Sequence, residues 1–136
     1  NDIVARITLP TTGAVSLFTG TVRGVTSRGV QRHTEHLVYD AYQSMATAKL
    51  TQIAGEIRTR WSEVEGVALV QRTGKLLPGT ISVIVACSSS HRDSGIFEAT
   101  KYGIDRLKEI VPVWKKEVTP EGEEWIEGDY FPRRGE

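Results

Sequence analysis

Residues 88–94, SSSHRDS, place His91 and Arg92 among four serines and an aspartate where an apolar run gives way to a helical pattern. The first turn of a helix leaves backbone N–H groups without intrahelical partners, and Ser90, Asp93 or Ser94 could cap it. His91 and Arg92 beside such donors would suit a phosphate or carboxylate; the same residues serve equally as a solvent-facing cap with a surface arginine. Arg23 closes an earlier strand-like segment and opens the stretch GVTSRGVQRHTEH, residues 24–36, which adds Arg28, Arg32, His33 and His36. A glycine-containing loop carrying donors fits a lid over an anionic small molecule, or an ordinary surface connection. Lys108 stands three residues after Asp105, so a surface ion pair is its ordinary role. Trp114, Lys115 and Lys116 stand just past Pro112, an arrangement that either holds one ammonium in a partly dry cleft or packs a lysine stem on the indole.

Other chemistries are excluded by what is missing. His33 and His36, with only Glu35 and Asp40 nearby and no cysteine beside them, do not make a zinc site. A phosphate-binding G-x-x-x-x-G-K-S/T loop, a dinucleotide fingerprint, a nucleophile elbow and H-E-x-x-H are absent as well. Seventeen basic residues balance seventeen acidic ones, which gives no global signal for nucleic acid or an anionic membrane. Aromatic residues are not interleaved with a sustained basic stripe. Cys87 is the only cysteine, so an intrachain disulfide is impossible, and no run approaches the roughly 20 apolar residues of a membrane span. Together with the lack of a charged start followed by an apolar stretch, this sets the expectation of a cytoplasmic protein.

The elements that must position these groups follow from periodicity. At 136 residues and 39% apolar content, residues 1–136 are expected to form one domain with one core. Residues 3–9 and 14–22 carry strand alternation, the second interrupted by Gly20, where backbone must come close or bend. Residues 24–36 lack any period and are expected to form a flexible loop, followed by a strand over 37–42. Ser44 is expected to cap a helix to Trp61 with a stripe of Met45, Ala48, Ile53, Ile57 and Trp61, supported by Ala54. Residues 67–70 and 81–86 suggest an antiparallel pair. A second helix carries Phe97, Thr100, Ile104, Leu107 and Val111 and stops at Pro112. A turn at 119–122, a short strand at 124–126 and a variable tail after about 128 complete the chain. The class is α+β, with two main helices on one side of a largely antiparallel sheet.

Beyond pattern, the segments FTGTVRG (18–24), YDAYQSMA (39–46), QRTGKLLPG (71–79), SSSHR (88–92), FEATKYGIDRLKE (97–109) and PVWKKE (112–117) occur in this order. In that order they resemble the large, catalytic subunit family of molybdopterin synthase, from about Gly13 to about Ile126. The resemblance implies a hammerhead-like α/β domain, a large-subunit dimer, and a small ubiquitin-like subunit on each end. That small subunit would insert a C-terminal Gly-Gly thiocarboxylate, and cyclic pyranopterin monophosphate would receive two sulfurs to become molybdopterin. No cofactor or metal of the protein's own is implied, because molybdenum would enter later. By the same resemblance, Lys108 matches the lysine nearest the inserted tail, and Lys115 the lysine associated with catalysis and substrate orientation. Arg23, His91 and Arg92 match the lining of the anionic pocket, Phe18 an aromatic near it, and Lys116 a supporting charge. The alternative is a module that binds the Gly-Gly tail without catalysis. Convergence of Arg23, His91 and Arg92 beside Lys108 and Lys115 would favour the enzyme, and their scattering the module.

Overall fold

The computed structural model describes residues 2–26, 32–120 and 122–126. In chain order the elements are α1 (Asp2–Arg6), β1 (Ala14–Thr21), β2 (Val25–Thr26), β3 (Arg32–His33), β4 (His36–Ala41), α2 (Gln43–Arg60), β5 (Val64–Gln71), β6 (Gly74–Leu76), β7 (Ile81–Ser89), α3 (Ile96–Ile110), β8 (Val113–Thr119) and β9 (Gly122–Ile126). They make an α+β fold in which every described strand pairing is antiparallel. One sheet has the order β1-β7-β5 and the other β6-β4-β8-β9, while β2 and β3 form a small ribbon between them in sequence.

The β7 strand organises the first sheet because both of its faces are needed. Val83, Val85 and Cys87 point to one face and are buried under α2 and α3. Ser82, Ala86 and Ser88 point to the other, as a period of two requires. Gly20 of β1 lies where a Cβ would come within 2.5 Å of Val83 Cγ1, and the ladder shifts register just after it, so the expected close approach is present. The main core contains Ile53 and Ile57 of α2 and Ile96, Ala99 and Leu107 of α3. A smaller cluster of Val22, Leu37, Tyr39 and Leu76 fills the inner face of the second sheet, and Val113 packs against both.

Several expectations need correction. Residues 2–6 are helical rather than a first strand. Ile3 and Ile7 are four apart, a spacing that serves one face of either structure, and here Asp2 and Arg6 pair at 3.4 Å along a helical turn. Ile7 is buried beside the sheet, and its carbonyl accepts from Ser88 Oγ at 2.6 Å. The start of α2 is Tyr42, whose carbonyl accepts from the Ala46 N–H at 2.8 Å, so Ser44 lies inside the first turn and caps nothing. The buried stripe accordingly begins Ala46, Leu50, not Met45, Ala48, before joining the expected Ile53 and Ile57. Likewise neither Ser90, Asp93 nor Ser94 caps α3. The chain enters through Gly95 at φ 86, a left-handed conformation that glycine adopts without strain. This turns Ile96 inward and leaves Phe97 63% exposed. The segment between β5 and β7 is not only a loop, since β6 leaves it to pair with β4. Residues 27–31 of the expected flexible loop and the tail after about 128 lie outside the described residues.

Candidate active site

Arg23 is exposed, but its main chain is held on both sides. Val22 N–H donates to the Thr80 carbonyl at 2.9 Å and its own carbonyl accepts from Gly79 N–H at 2.8 Å. On the other side Gly24 accepts from the Thr34 N–H at 2.9 Å. The arginine therefore projects from a fixed point where β1 leaves its sheet, beside the cluster formed by Val22, Leu37, Tyr39 and Leu76.

Lys115 belongs to the same neighbourhood. In β8 the residues alternate between faces, and Lys115 pairs with Tyr39 of β4, between the pairs Val113 with Ala41 and Glu117 with Leu37. These residues share the inner face, so Lys115 is half-buried next to a buried tyrosine. Burial pushes the Tyr39 phenol above its usual 10.0, with a Ser82 hydrogen bond acting the other way, which keeps the hydroxyl protonated beside the lysine.

Lys108 reaches this end by the direction of α3. The helix starts near Trp61 and the end of β7, crosses Val85 at Gly103, and finishes at Val111, which together with Val113 leads into β8. Lys108 stands in its last turn, where carbonyl groups favour a cation. Helical spacing sets Phe97, Lys101, Ile104 and Lys108 on the flank opposite the one that contacts α2. The expected Lys108–Asp105 pair is absent: Asp105 binds Lys101 at 2.5 Å, and Lys108 is exposed with no ion-pair partner among the described residues. Phe18 lies midway along β1 on the helix-facing side, 38% exposed at the sheet edge.

The remaining predicted residues lie elsewhere within one chain. His91 and Arg92 follow β7 where Ser89 pairs with Ala14, whereas Arg23 follows the pair Thr21 and Ile81. Seven residue steps separate these two ends of the ladder, about 24 Å. Lys116 points to the outer face of the second sheet, bound to Glu123 at 3.2 Å and set over the Trp125 ring at 5.7 Å. Within one copy, Arg23 follows Val22 of the cluster that includes Lys115's cross-strand partner Tyr39, α3 runs back from the His91 end of β7, and His91 and Arg92 stand at the far end of the β1–β7 ladder from Arg23. Thr34, Tyr39 and Glu117 also belong to this neighbourhood, without a catalytic motif to mark them in the sequence. The last two share a strand face with Lys115, a signal that the i, i+2 spacing of PVWKKE carried for Glu117.

An open groove between α2 and α3 is also rich in charge, but its groups satisfy one another. Arg106 Nε donates to Glu56 Oε1 at 2.9 Å, Tyr102 donates to the same oxygen at 2.6 Å, and Gln52 donates to Oε2 at 2.9 Å. Hydrogen bonding from Arg106, opposed by burial and aided by Tyr102 and Gln52, holds the Glu56 carboxyl at about 2 instead of 4.5. A depressed carboxylate stabilises the fold above its unfolded value and loses that contribution as pH falls through the folded one. Glu56→Gln is therefore expected to cost about 1–2 kcal/mol at pH 7, allowing for partial solvent screening. The gap between wild type and variant should close as urea titrations are repeated from pH 4.5 towards 2. A gap constant over that range would show that the charge is not what stabilises the helix pair.

Comparison with known proteins bears on the fold and the family. The family model described as "MoaE protein" matches residues 1–110. A molybdopterin synthase catalytic subunit from Halalkalibacterium halodurans is 43% identical over 125 residues, covering 92% of this chain and 77% of the relative. The crystal structure of molybdopterin synthase from Staphylococcus aureus superposes with a TM-score of 0.81 at 41% identity, covering 90% of this chain and 86% of that one. The fold also matches a chain in a complex of subunits 1 and 2 of the molybdopterin-converting factor from Helicobacter pylori, at a TM-score of 0.72 and 18% identity, over 98% of this chain and 82% of that one. The chain belongs to the MoaE family of molybdopterin synthase catalytic subunits, sulfur-transferring enzymes of molybdenum cofactor biosynthesis.

Proposed function

We propose that this chain converts cyclic pyranopterin monophosphate to molybdopterin, using sulfur carried as a thiocarboxylate on the C-terminal Gly-Gly tail of a small ubiquitin-like subunit. What supports the reading is a MoaE-family fold in which Arg23 follows Val22 of the cluster that holds Lys115's cross-strand partner Tyr39, and α3 carries Lys108 in its last turn before β8. A thiocarboxylate is already nucleophilic, so the protein's contribution is placement. Lys108, without an ion-pair partner among the described residues and standing at a helix end, is assigned to the tail, where a cation stabilises oxyanion character as the acyl–sulfur bond breaks. Lys115, half-buried beside Tyr39, is assigned to the pterin and to proton transfer there. Arg23 is assigned to the phosphate, and Phe18 to the edge of the same site. A chain of the same fold occurs in the Helicobacter pylori complex of subunits 1 and 2 of the molybdopterin-converting factor, in keeping with a second-subunit partner here.

His91 and Arg92 join this site in a two-copy assembly. The face of the first sheet away from the helices carries Val15, Leu17, Ala68, Val70 and Ile84, with Leu17 51% exposed. Two copies stacked on that face with β1 strands running oppositely would bring His91 and Arg92 of one copy to the Arg23 end of the other. This accounts for residues that a single chain keeps about 24 Å apart.

The test is to mix the protein with its thiocarboxylated small subunit and cyclic pyranopterin monophosphate and follow the pterin by mass spectrometry. Gain of two sulfurs that depends on this chain is the expected result. Tail binding without sulfur gain, with the substrate intact, would instead identify a non-catalytic module.

A further inference from the structure

We propose that Thr34 and Glu117 form a positioning pair that holds Arg23 in register with Lys115, an inference that rests on the sulfur-transfer reading above. Glu117 is 4% exposed and Thr34 7% exposed, and Thr34 Oγ1 donates to Glu117 Oε1 at 2.6 Å. A buried carboxylate is costly unless it is well satisfied, and the residue paired with Glu117 across the ladder is the buried, apolar Leu37. The carboxylate stands instead where β8 meets the returning end of the 24–36 segment. There Glu35 N–H donates to the Val118 carbonyl at 2.9 Å, adding a main-chain tie beside the side-chain one.

The path from this pair to the site is short. Thr34 is bound through its hydroxyl to Glu117, which lies two residues from Lys115 on the same strand face. Through its N–H, Thr34 is bound to the carbonyl of Gly24, the residue after Arg23. Two consecutive hydrogen bonds therefore connect the strand of Lys115 to the backbone that carries Arg23. The other side of Arg23 is anchored to the turn at Gly79 and Thr80, an independent support. Loosening Thr34 leaves β1 in place while weakening the main-chain restraint on the Gly24 side of the arginine. Because Arg23 is exposed and long, its ordering on a ligand costs more when its main chain is free. The effect should appear in substrate binding before it appears in the chemical step.

Thr34→Val removes the hydroxyl at nearly constant volume, and Thr34→Ser keeps it. Assayed with the thiocarboxylated small subunit, Thr34→Val is expected to raise KM for cyclic pyranopterin monophosphate about tenfold with kcat within about twofold. Thr34→Ser should stay within about twofold of wild type on both constants, and Glu117→Gln should move KM in the same direction as Thr34→Val. Hydrogen exchange at the residue-34 amide, which reports its bond to Gly24, should quicken in Thr34→Val and not in Thr34→Ser. An unchanged KM in Thr34→Val, or equal losses in the valine and serine variants, overturns the proposal. Should wild type itself give no product, the sulfur-transfer reading fails, and with it the catalytic purpose of the pair. The exchange data would then still decide whether Thr34 restrains Gly24.

Discussion

Lys108→Ala is expected to lower the rate of sulfur transfer by about 100-fold or more while leaving the fold intact, because a lost cationic or proton-transferring group at a reacting centre costs that much. The lysine is exposed, makes no ion pair among the described residues and sits in the last turn of α3. Its removal should therefore change stability by no more than about 0.5 kcal/mol. Single-turnover reactions with preformed thiocarboxylated small subunit separate the chemical step from product release. Lys108→Arg refines the assignment: retained activity would point to charge alone, since arginine does not give up its proton near neutral pH. Lys115→Ala should also depress turnover, with a stronger effect on KM for the pterin than Lys108→Ala if the two lysines serve opposite ends of the reaction. Unchanged turnover in Lys108→Ala would remove that residue from the mechanism.

The largest effect expected on stability is at Gly103, in the middle of α3. A Cβ there would lie 2.7 Å from Val85 Cγ1 and 3.3 Å from Ile57 Cδ1, both on fully buried side chains. Gly103→Val is expected to destabilise the protein by about 2–3 kcal/mol, because overpacking at the helix–sheet contact outweighs the gain in helix propensity. Gly55 of α2 supplies the control, since nothing lies within 4 Å of a Cβ built on it. Gly55→Ala should stabilise by about 0.5–1 kcal/mol, the ordinary propensity gain. Chemical denaturation of both variants gives the signs directly, and stabilisation by Gly103→Val would mean that α3 stands further from β7 than the packing indicates.

The legibility of the fold differed from element to element for physical reasons. Strands β1, β4, β5 and β7 were recognisable because alternation and bounding turn residues are local properties. Periodicity marks both main helices but not their first turns. Serine is a frequent cap, so Ser44 and the 90–94 cluster carry the local signal, whereas the helices start at Tyr42 and Gly95. A shift of one residue was enough to exchange Phe97 for Ile96 in the core. Residues 2–6 failed for a different reason: a spacing of four between isoleucines serves strand and helix alike, and only contact with the sheet distinguishes them.

The site divides along the same line. By itself the sequence determined the residue types, the ordered set of segments shared with the family, and hence the kind of chemistry available to Arg23, Lys108 and Lys115. It also determined that Lys115 and Glu117 must share a face, since strand alternation needs no tertiary information. Only the tertiary structure decided that Thr34 meets Glu117 across 83 positions, that Lys116 turns outward to Trp125, and that His91 and Arg92 stand at the far end of β1 from Arg23. Those relations depend on which strands pair and in what register, on the return direction of α3, and on which face each sheet buries. All three are set by contacts between residues far apart in the chain, for which no local period carries a signal.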